Sequence, residues 1–238
     1  GGVSLNSGCV PSKTMIRAVE GLHSSKYASR FKGIKIIEKL NNWKEVVNGK
    51  QELVDKLCKD RYVDVLGSYK NITYLEGKAK LIQNGVAIKD KAYIAKKIII
   101  ATGSSPSIPN IDGLNNVPYF TSTTALKLEK LPKSLLIIGG GVNGIELGQM
   151  FSRAGVSVAI CCRGRLLAAT ELEISTNLEK YLQEEGIRIY KDISYQRSKY
   201  DVNNADCACI YSECDTQCKD NENAFKRVNE RNNINRNC

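Results

Sequence analysis

The sequence predicts an α/β fold built on a parallel, helix-covered sheet, and three observations predict it. Residues 135–138 form a short apolar run that enters Gly139-Gly140-Gly141-Val142-Asn143-Gly144, then a helical stretch ending near Gly155. Residues 156–161 form a second strand-like run. Ile174, Leu178 and Leu182 share one helix face closed by Gly186, and residues 187–190 begin a third strand. Such a β-α-β-α-β alternation needs parallel strands joined by crossover helices.

The region before this unit has a different pattern. Pro11 reads as a first-turn proline, and Met15, Ile16 and Val19 follow at helical spacing, so Cys9 sits at a helix N-terminus. A second helix is predicted over 43–66, with Trp43, Val46, Val47, Leu53, Val54, Leu57, Val65 and Leu66 as its apolar stripe and Gly67 as its stop. Strand-like runs at 72–82, 86–89 and 93–102, with short turns between them, predict an antiparallel meander. From about Asp201 the periodicity lapses into Cys, Asn, Asp and Lys, which predicts a disordered tail over 201–238.

Composition excludes several classes. With 42% hydrophobic residues over 238 positions, the chain can bury a sizeable core. The net charge of +10 comes from lysines scattered along amphipathic stretches such as 44–59 and 127–133, without aromatic interleaving, so no nucleic-acid partner is expected. No run of eighteen apolar residues appears, which argues against a membrane-spanning helix, and no targeting signal can be read from a sequence that opens on Gly1-Gly2. Nine unevenly spread cysteines do not form a secreted disulfide framework; a cytoplasmic redox or metal context fits better.

Gly139-x-Gly141-x-x-Gly144 follows a strand and opens a helix, the context that makes it a dinucleotide fingerprint. Gly139 permits the tight turn, Gly141 lets a pyrophosphate approach the backbone, Gly144 allows close helix-to-strand packing, and the helix N-terminus offers amides to the phosphates. An acid after the second strand would select NAD, but the sequence reads Cys162-Arg163-Gly164-Arg165, which points to the 2′-phosphate of NADP. At the other end, the helix field biases Cys9 toward thiolate, as a redox or metal-binding sulfur requires. Cys207, Cys209, Cys214 and Cys218 could in principle hold zinc but lack an apolar framework, and no zinc site is expected there.

Gly1-Gly2-x-x-x-Asn6-x-Gly8-Cys9-Val10-Pro11-Ser12-Lys13 resembles the active-site segment of the pyridine nucleotide-disulfide oxidoreductases. Ala101-Thr102-Gly103 is similar to the strand-end motif closing that family's first flavin segment, and 139–148, with Glu146, resembles its nicotinamide fingerprint. Within the family, Cys9 through Arg17, 121–126 leading to Leu131-Pro132, and 146–151 look most like mercuric reductases, with dihydrolipoamide dehydrogenases related.

The resemblance implies a two-domain FAD/NAD(P)-binding flavoprotein fold, truncated at both ends. It divides the chain into a partial FAD-binding domain over 1–130, a partial NAD(P)-binding Rossmann domain over 131–200, and an off-family tail over 201–238. It implies hydride transfer from NADPH to FAD, then electron transfer to a cysteine pair facing a thiol-bound Hg(II) or disulfide substrate. Cys9 would be the flavin-proximal sulfur and the metal ligand, and Lys13 would lie near the flavin and pair with Glu146. The family's first active-site cysteine falls on Ser4, which offers no thiolate, and His23 matches no catalytic position. The chain is therefore expected to be inactive as written. A dihydrolipoamide dehydrogenase-like reductase or a non-catalytic dinucleotide-binding remnant is the alternative. Full-length relatives are homodimers, and their interface domain is expected to lie outside this sequence.

Overall fold

In the computed structural model, residues 3–28, 30–37, 39–193 and 207–211 are described. A short helix α1 (Val3–Asn6) turns at Gly8 into the long helix α2 (Cys9–Ala28). Helix α3 (Trp43–Cys58) continues through a π-helical turn (Lys59–Val63) into α4 (Asp64–Ser68), so the helix expected over 43–66 is present but rewound in its last third. Trp43, Val47 and Val54 are buried, whereas Leu53 and Val65 are exposed, so the packed stripe is narrower than the apolar pattern.

The meander is β1 (Ala79–Ile82), β2 (Gly85–Ile88) and β3 (Lys91–Ile94), paired antiparallel in that order. Its strands are shorter than the runs that predict them. Residues 95–102 are not in a strand, and Ile99 is 90% exposed. Their apolar side chains have no facing layer among the described residues, and a strand needs a partner for its ladder.

The main sheet comprises β4 (Tyr119–Thr121), β5 (Ser134–Ile138), β6 (Ser157–Cys161), β7 (Arg188–Tyr190) and β8 (Cys207–Tyr211), in the order β4-β8-β5-β6-β7. Every pairing in it is parallel. Helix α5 (Ser122–Ala125) follows β4, with a reciprocal capping box between Thr121 and Thr124. Helix α6 (Val142–Arg153) joins β5 to β6, and α7 (Leu172–Glu184) precedes β7. The alternation read from the sequence is therefore the observed α/β architecture. Both crossover helices end where glycine was expected to end them. Gly155 has φ +97°, the Gly155 N–H donates to Ser152 O and the Val156 N–H to Phe151 O. The Gly186 and Ile187 N–H groups close α7 in the same way, satisfying carbonyls that would otherwise be orphaned.

One correction concerns the tail. Cys207–Tyr211 was expected to be disordered, yet it is a sheet strand flanked on both sides, with Cys209 in register with Tyr119 and with Leu136. The physical reason is that β4 and β5 each present an edge to it, so pairing supplies the order that the local sequence lacks. The rest of 201–238, including Cys214 and Cys218, lies outside the described residues.

A continuous core joins the N-terminal helices to the sheet: Met15 and Val19 of α2, Trp43 and Val47 of α3, Leu135 and Ile137 of β5, and Met150 and Phe151 of α6. Each such side chain contributes about 1.5–3 kcal/mol through burial. The Trp43 ring lies 6.0 Å from that of Phe151, and its indole N–H donates to Leu128 O at 2.7 Å. No helix among the described residues is long and apolar enough to cross a membrane.

Candidate active site

The glycine turn after β5 is shaped by contacts that only glycine permits. Gly139 has φ +118°, a conformation L side chains rarely adopt, and its N–H donates to Cys161 O at 2.8 Å. A Cβ on Gly140 would lie 2.9 Å from Cys162 Cβ and 3.0 Å from Leu166 Cδ2. Gly141 is the extended N-cap of α6, and Val142 and Asn143 are exposed beside it, so the first amides of a twelve-residue helix are open to an anion. Gly144 is buried, but the contact that sets the helix against the sheet is also made at Gly148, whose Cβ would meet Ile137 Cδ1 at 3.0 Å. Gly140 and Gly148 were not singled out in the sequence, because close approach depends on what faces a glycine, which spacing does not reveal. Gly140→Ala is expected to cost about 1–3 kcal/mol through overpacking. Urea denaturation checks this, and an unchanged midpoint would contradict the close approach.

The loop after β6 folds onto this turn. The Leu167 N–H donates to Gly140 O at 2.9 Å. Arg165 is held inside the loop, donating to Ala168 O, Thr170 O and Glu171 O at 2.9, 2.5 and 3.3 Å. Arg163 is exposed. The two arginines, equivalent in the sequence, are thus placed differently. Cys161 and Cys162 are buried, and burial, followed by the charges of Glu179 and Asp192, pushes the Cys162 thiol up to about 11. Cys162 is therefore protonated and inert near neutrality.

The thiol segment lies at the start of α2. Cys9 and Ser4 are both exposed, and the Gly8 N–H donates to Val3 O at 2.7 Å, folding α1 back against the first turn of α2. A Cβ on Gly103 would lie 3.1 Å from Val3 Cγ2, so the exposed Ala101-Thr102-Gly103 segment reaches the same turn. Lys13 Nζ lies 2.5 Å from Glu146 Oε2 and links α2 to α6. Both groups are partly exposed, so the pair contributes at most about 1 kcal/mol. Gly1 and Gly2 lie outside the described residues. Among the described residues no group of three or more potential metal ligands occurs.

A second link between these helices was not legible in the sequence. Glu185, the C-cap of α7, accepts from Arg153 Nε and a terminal Arg153 nitrogen at 2.9 and 2.7 Å and from Gln149 Nε2 at 2.8 Å. His23 Nε2 of α2 lies 3.7 Å from Glu185 Oε1. Burial pushes the Glu185 carboxyl up, but the Arg153 hydrogen bonds and charge, with His23 and Gln149, outweigh it and hold the group below the ordinary glutamate range. His23 thus takes part in a helix tether.

An anion-ready glycine turn on a parallel sheet, packed directly against a helix that opens on an exposed cysteine, defines a nucleotide-dependent redox protein of the thiol type. The family model for pyridine nucleotide-disulphide oxidoreductase matches residues 1–216, and the chain belongs to this family. It is 40% identical over 199 residues to a mercuric reductase of Streptomyces lividans, covering 80% of this chain and 41% of that protein. It is 30% identical over 226 residues to a dihydrolipoyl dehydrogenase of Mycoplasma genitalium, covering 88% and 48%. Among solved structures, the HOCl-induced flavoprotein disulfide reductase RclA from Escherichia coli superposes with a TM-score of 0.74 at 25% identity, over 88% of this chain and 47% or more of that one. The chain spans less than half the length of these relatives. The family implies a pyridine nucleotide and FAD as cofactors. The residues present fit both: the open α6 amides and the Gly140 close approach suit a pyrophosphate, and the exposed Thr102-Gly103 segment against Val3 of α1 suits a flavin.

Proposed function

We propose that this chain carries the thiol-bearing and nicotinamide-binding segments of a mercuric-reductase-type flavoprotein, with NADPH as electron donor and thiol-bound Hg(II) as acceptor. The observation that carries this reading is the direct packing of α2, which opens on Cys9, against α6, which opens on the glycine turn, with Lys13 and Glu146 paired across the contact. Thiol and nucleotide turn are thereby fixed on one rigid core. FAD, bound near Lys13 and Thr102-Gly103, would supply the two-electron relay between nicotinamide and sulfur. The mercuric reductase relative supports Hg(II) as acceptor, and Cys9 is the soft ligand that such a cation requires.

Gly139 and Gly140 bring the backbone to the pyrophosphate, and α6 turns its amides to it. Arg163 receives the 2′-phosphate, while Arg165 holds the loop in shape through its three carbonyl contacts. Arg163→Ala should therefore weaken NADPH binding by roughly tenfold or more, the loss of one charge-assisted hydrogen bond, and leave NADH binding unchanged. Arg165→Ala should lower stability and weaken both nucleotides together. Calorimetric titration of the three proteins tests this, and a preference for NADH in the unmodified chain would overturn the choice of donor.

A further inference from the structure

We propose that Leu167 is a positioning residue for the nucleotide: its N–H fixes the peptide joining Gly140 to Gly141, so that the Gly141 N–H faces the pyrophosphate. The proposal rests on the reading of residues 139–144 as the pyrophosphate turn and deepens it.

The Gly140 carbonyl accepts from the Leu167 N–H at 2.9 Å. In a planar trans peptide the C=O and the N–H point in opposite directions, so a carbonyl drawn toward the 163–171 loop sends the Gly141 N–H away from it. Gly141 is the N-cap of α6, beside the exposed Val142 and Asn143, and among the described residues no acceptor takes its N–H. Reversal of this one peptide would put an oxygen where a phosphate needs a donor. Glycine on both sides makes reversal sterically cheap, since neither residue has a Cβ to resist the change in φ and ψ. The orientation therefore depends on a hydrogen bond from outside the turn.

Leu167 donates that bond from an unfavourable conformation. Its φ is +45°, a left-handed value that a bulky side chain rarely adopts. Such a residue persists only where its surroundings over-determine it, and here they do. The Thr170 N–H and Thr170 Oγ1 both donate to Leu167 O at 2.9 Å. On the other side Leu166 is fully buried, and its carbonyl accepts at 2.6 Å from the hydroxyl of Ser175, a buried residue of α7. Leu166 Cδ2 is also an atom that a Cβ on Gly140 would meet, at 3.0 Å. Ser175, Leu166, Leu167 and Gly140 thus form a contiguous column from α7 to the nucleotide turn. The backbone conformation of Leu167, not its apolar side chain, is the property the site uses, and Ser175 anchors it.

The test uses the intact chain with NADP+ and NAD+ as probes, titrated calorimetrically where circular dichroism shows each variant folded. Leu167→Val keeps an apolar side chain but is β-branched and resists the left-handed region, whereas Leu167→Asn loses the apolar side chain and tolerates that region. Leu167→Val should weaken both nucleotides by about tenfold, as for the loss of one hydrogen bond to a charged group, with their ratio unchanged. Leu167→Asn should stay within about twofold of the unmodified chain, because it keeps the N–H in place. A role in packing alone predicts the reverse order, and that order, or equal affinities in all three proteins, would overturn the proposal. Ser175→Ala leaves Leu167 itself unchanged and should also weaken both nucleotides together, so it carries the same test if Leu167→Val does not fold. Amide hydrogen exchange without nucleotide should find the Leu167 N–H protected in the unmodified chain and faster to exchange in Ser175→Ala; an unprotected N–H in the unmodified chain contradicts the contact. A chain that binds neither nucleotide while its Leu167 N–H is protected would sink the reading of the turn, whereas unchanged affinity in Leu167→Val and Ser175→Ala sinks the positioning role alone.

Discussion

Glu185→Ala is expected to destabilise the protein by about 2–3 kcal/mol at neutral pH, less than a fully buried ion pair because the site is only partly shielded. Glu185 closes a cluster in which Arg153 and Gln149 of α6 donate to it and His23 of α2 approaches it. Removing the carboxylate leaves the Arg153 guanidinium, itself 16% exposed, without its bidentate partner. The pH dependence has a definite sign. The folded-state pKa of Glu185 is depressed, so its contribution is fully present above the unfolded value of about 4.3 and is lost as pH falls through the folded one. The gap between the unmodified protein and Glu185→Ala should therefore close below about pH 4. Urea denaturation at pH 7 and at about pH 3, below the unfolded carboxylate value, measures it. A gap of equal size at both would show that the variant acts through lost packing instead.

The same cluster shows what the sequence makes legible. The β5-α6-β6-α7-β7 order was readable because each element carries its own signal: a continuous apolar run for a strand buried on both faces, a periodic face for each helix, and Gly155 and Gly186 at the stops. Cys9 at a helix N-terminus was readable from Pro11 for the same reason, that the determinant is local. What escaped is non-local. Cys207–Tyr211 becomes a strand because β4 and β5 leave a slot for it, and β4 itself is only three residues long. The 95–102 run has strand composition and no ladder partner among the described residues. Arg163 and Arg165 look interchangeable until the carbonyls of the 168–171 loop take up one of them. His23, Glu185 and Cys58 meet partners from other elements, Glu185 at 3.7 Å from His23 and Asn6 at 2.9 Å from Cys58, and no periodicity encodes that.

Ser4→Cys is expected to turn a site with one family-position sulfur into a reversible two-electron couple. Positions 4 and 9 flank the same turn: α1 is folded back by the Gly8 and Ser7 N–H groups on Val3 O, and both residues are exposed. A disulfide there closes a very short loop, so its formation depends on native geometry and not on chance collision in the unfolded chain. After mild oxidation the variant should lose two alkylatable thiols relative to its reduced form, one of them Cys9, and recover both with dithiothreitol. The unmodified chain, with serine at position 4, should keep Cys9 alkylatable under the same treatment, because a lone thiol cannot store the electron pair that a disulfide takes up. Peptide mapping of oxidised and reduced samples decides the matter. A Cys9 that remains free in oxidised Ser4→Cys, in a protein that still binds NADPH, would mean that α1 does not hold position 4 against the start of α2 as the Val3 contacts indicate.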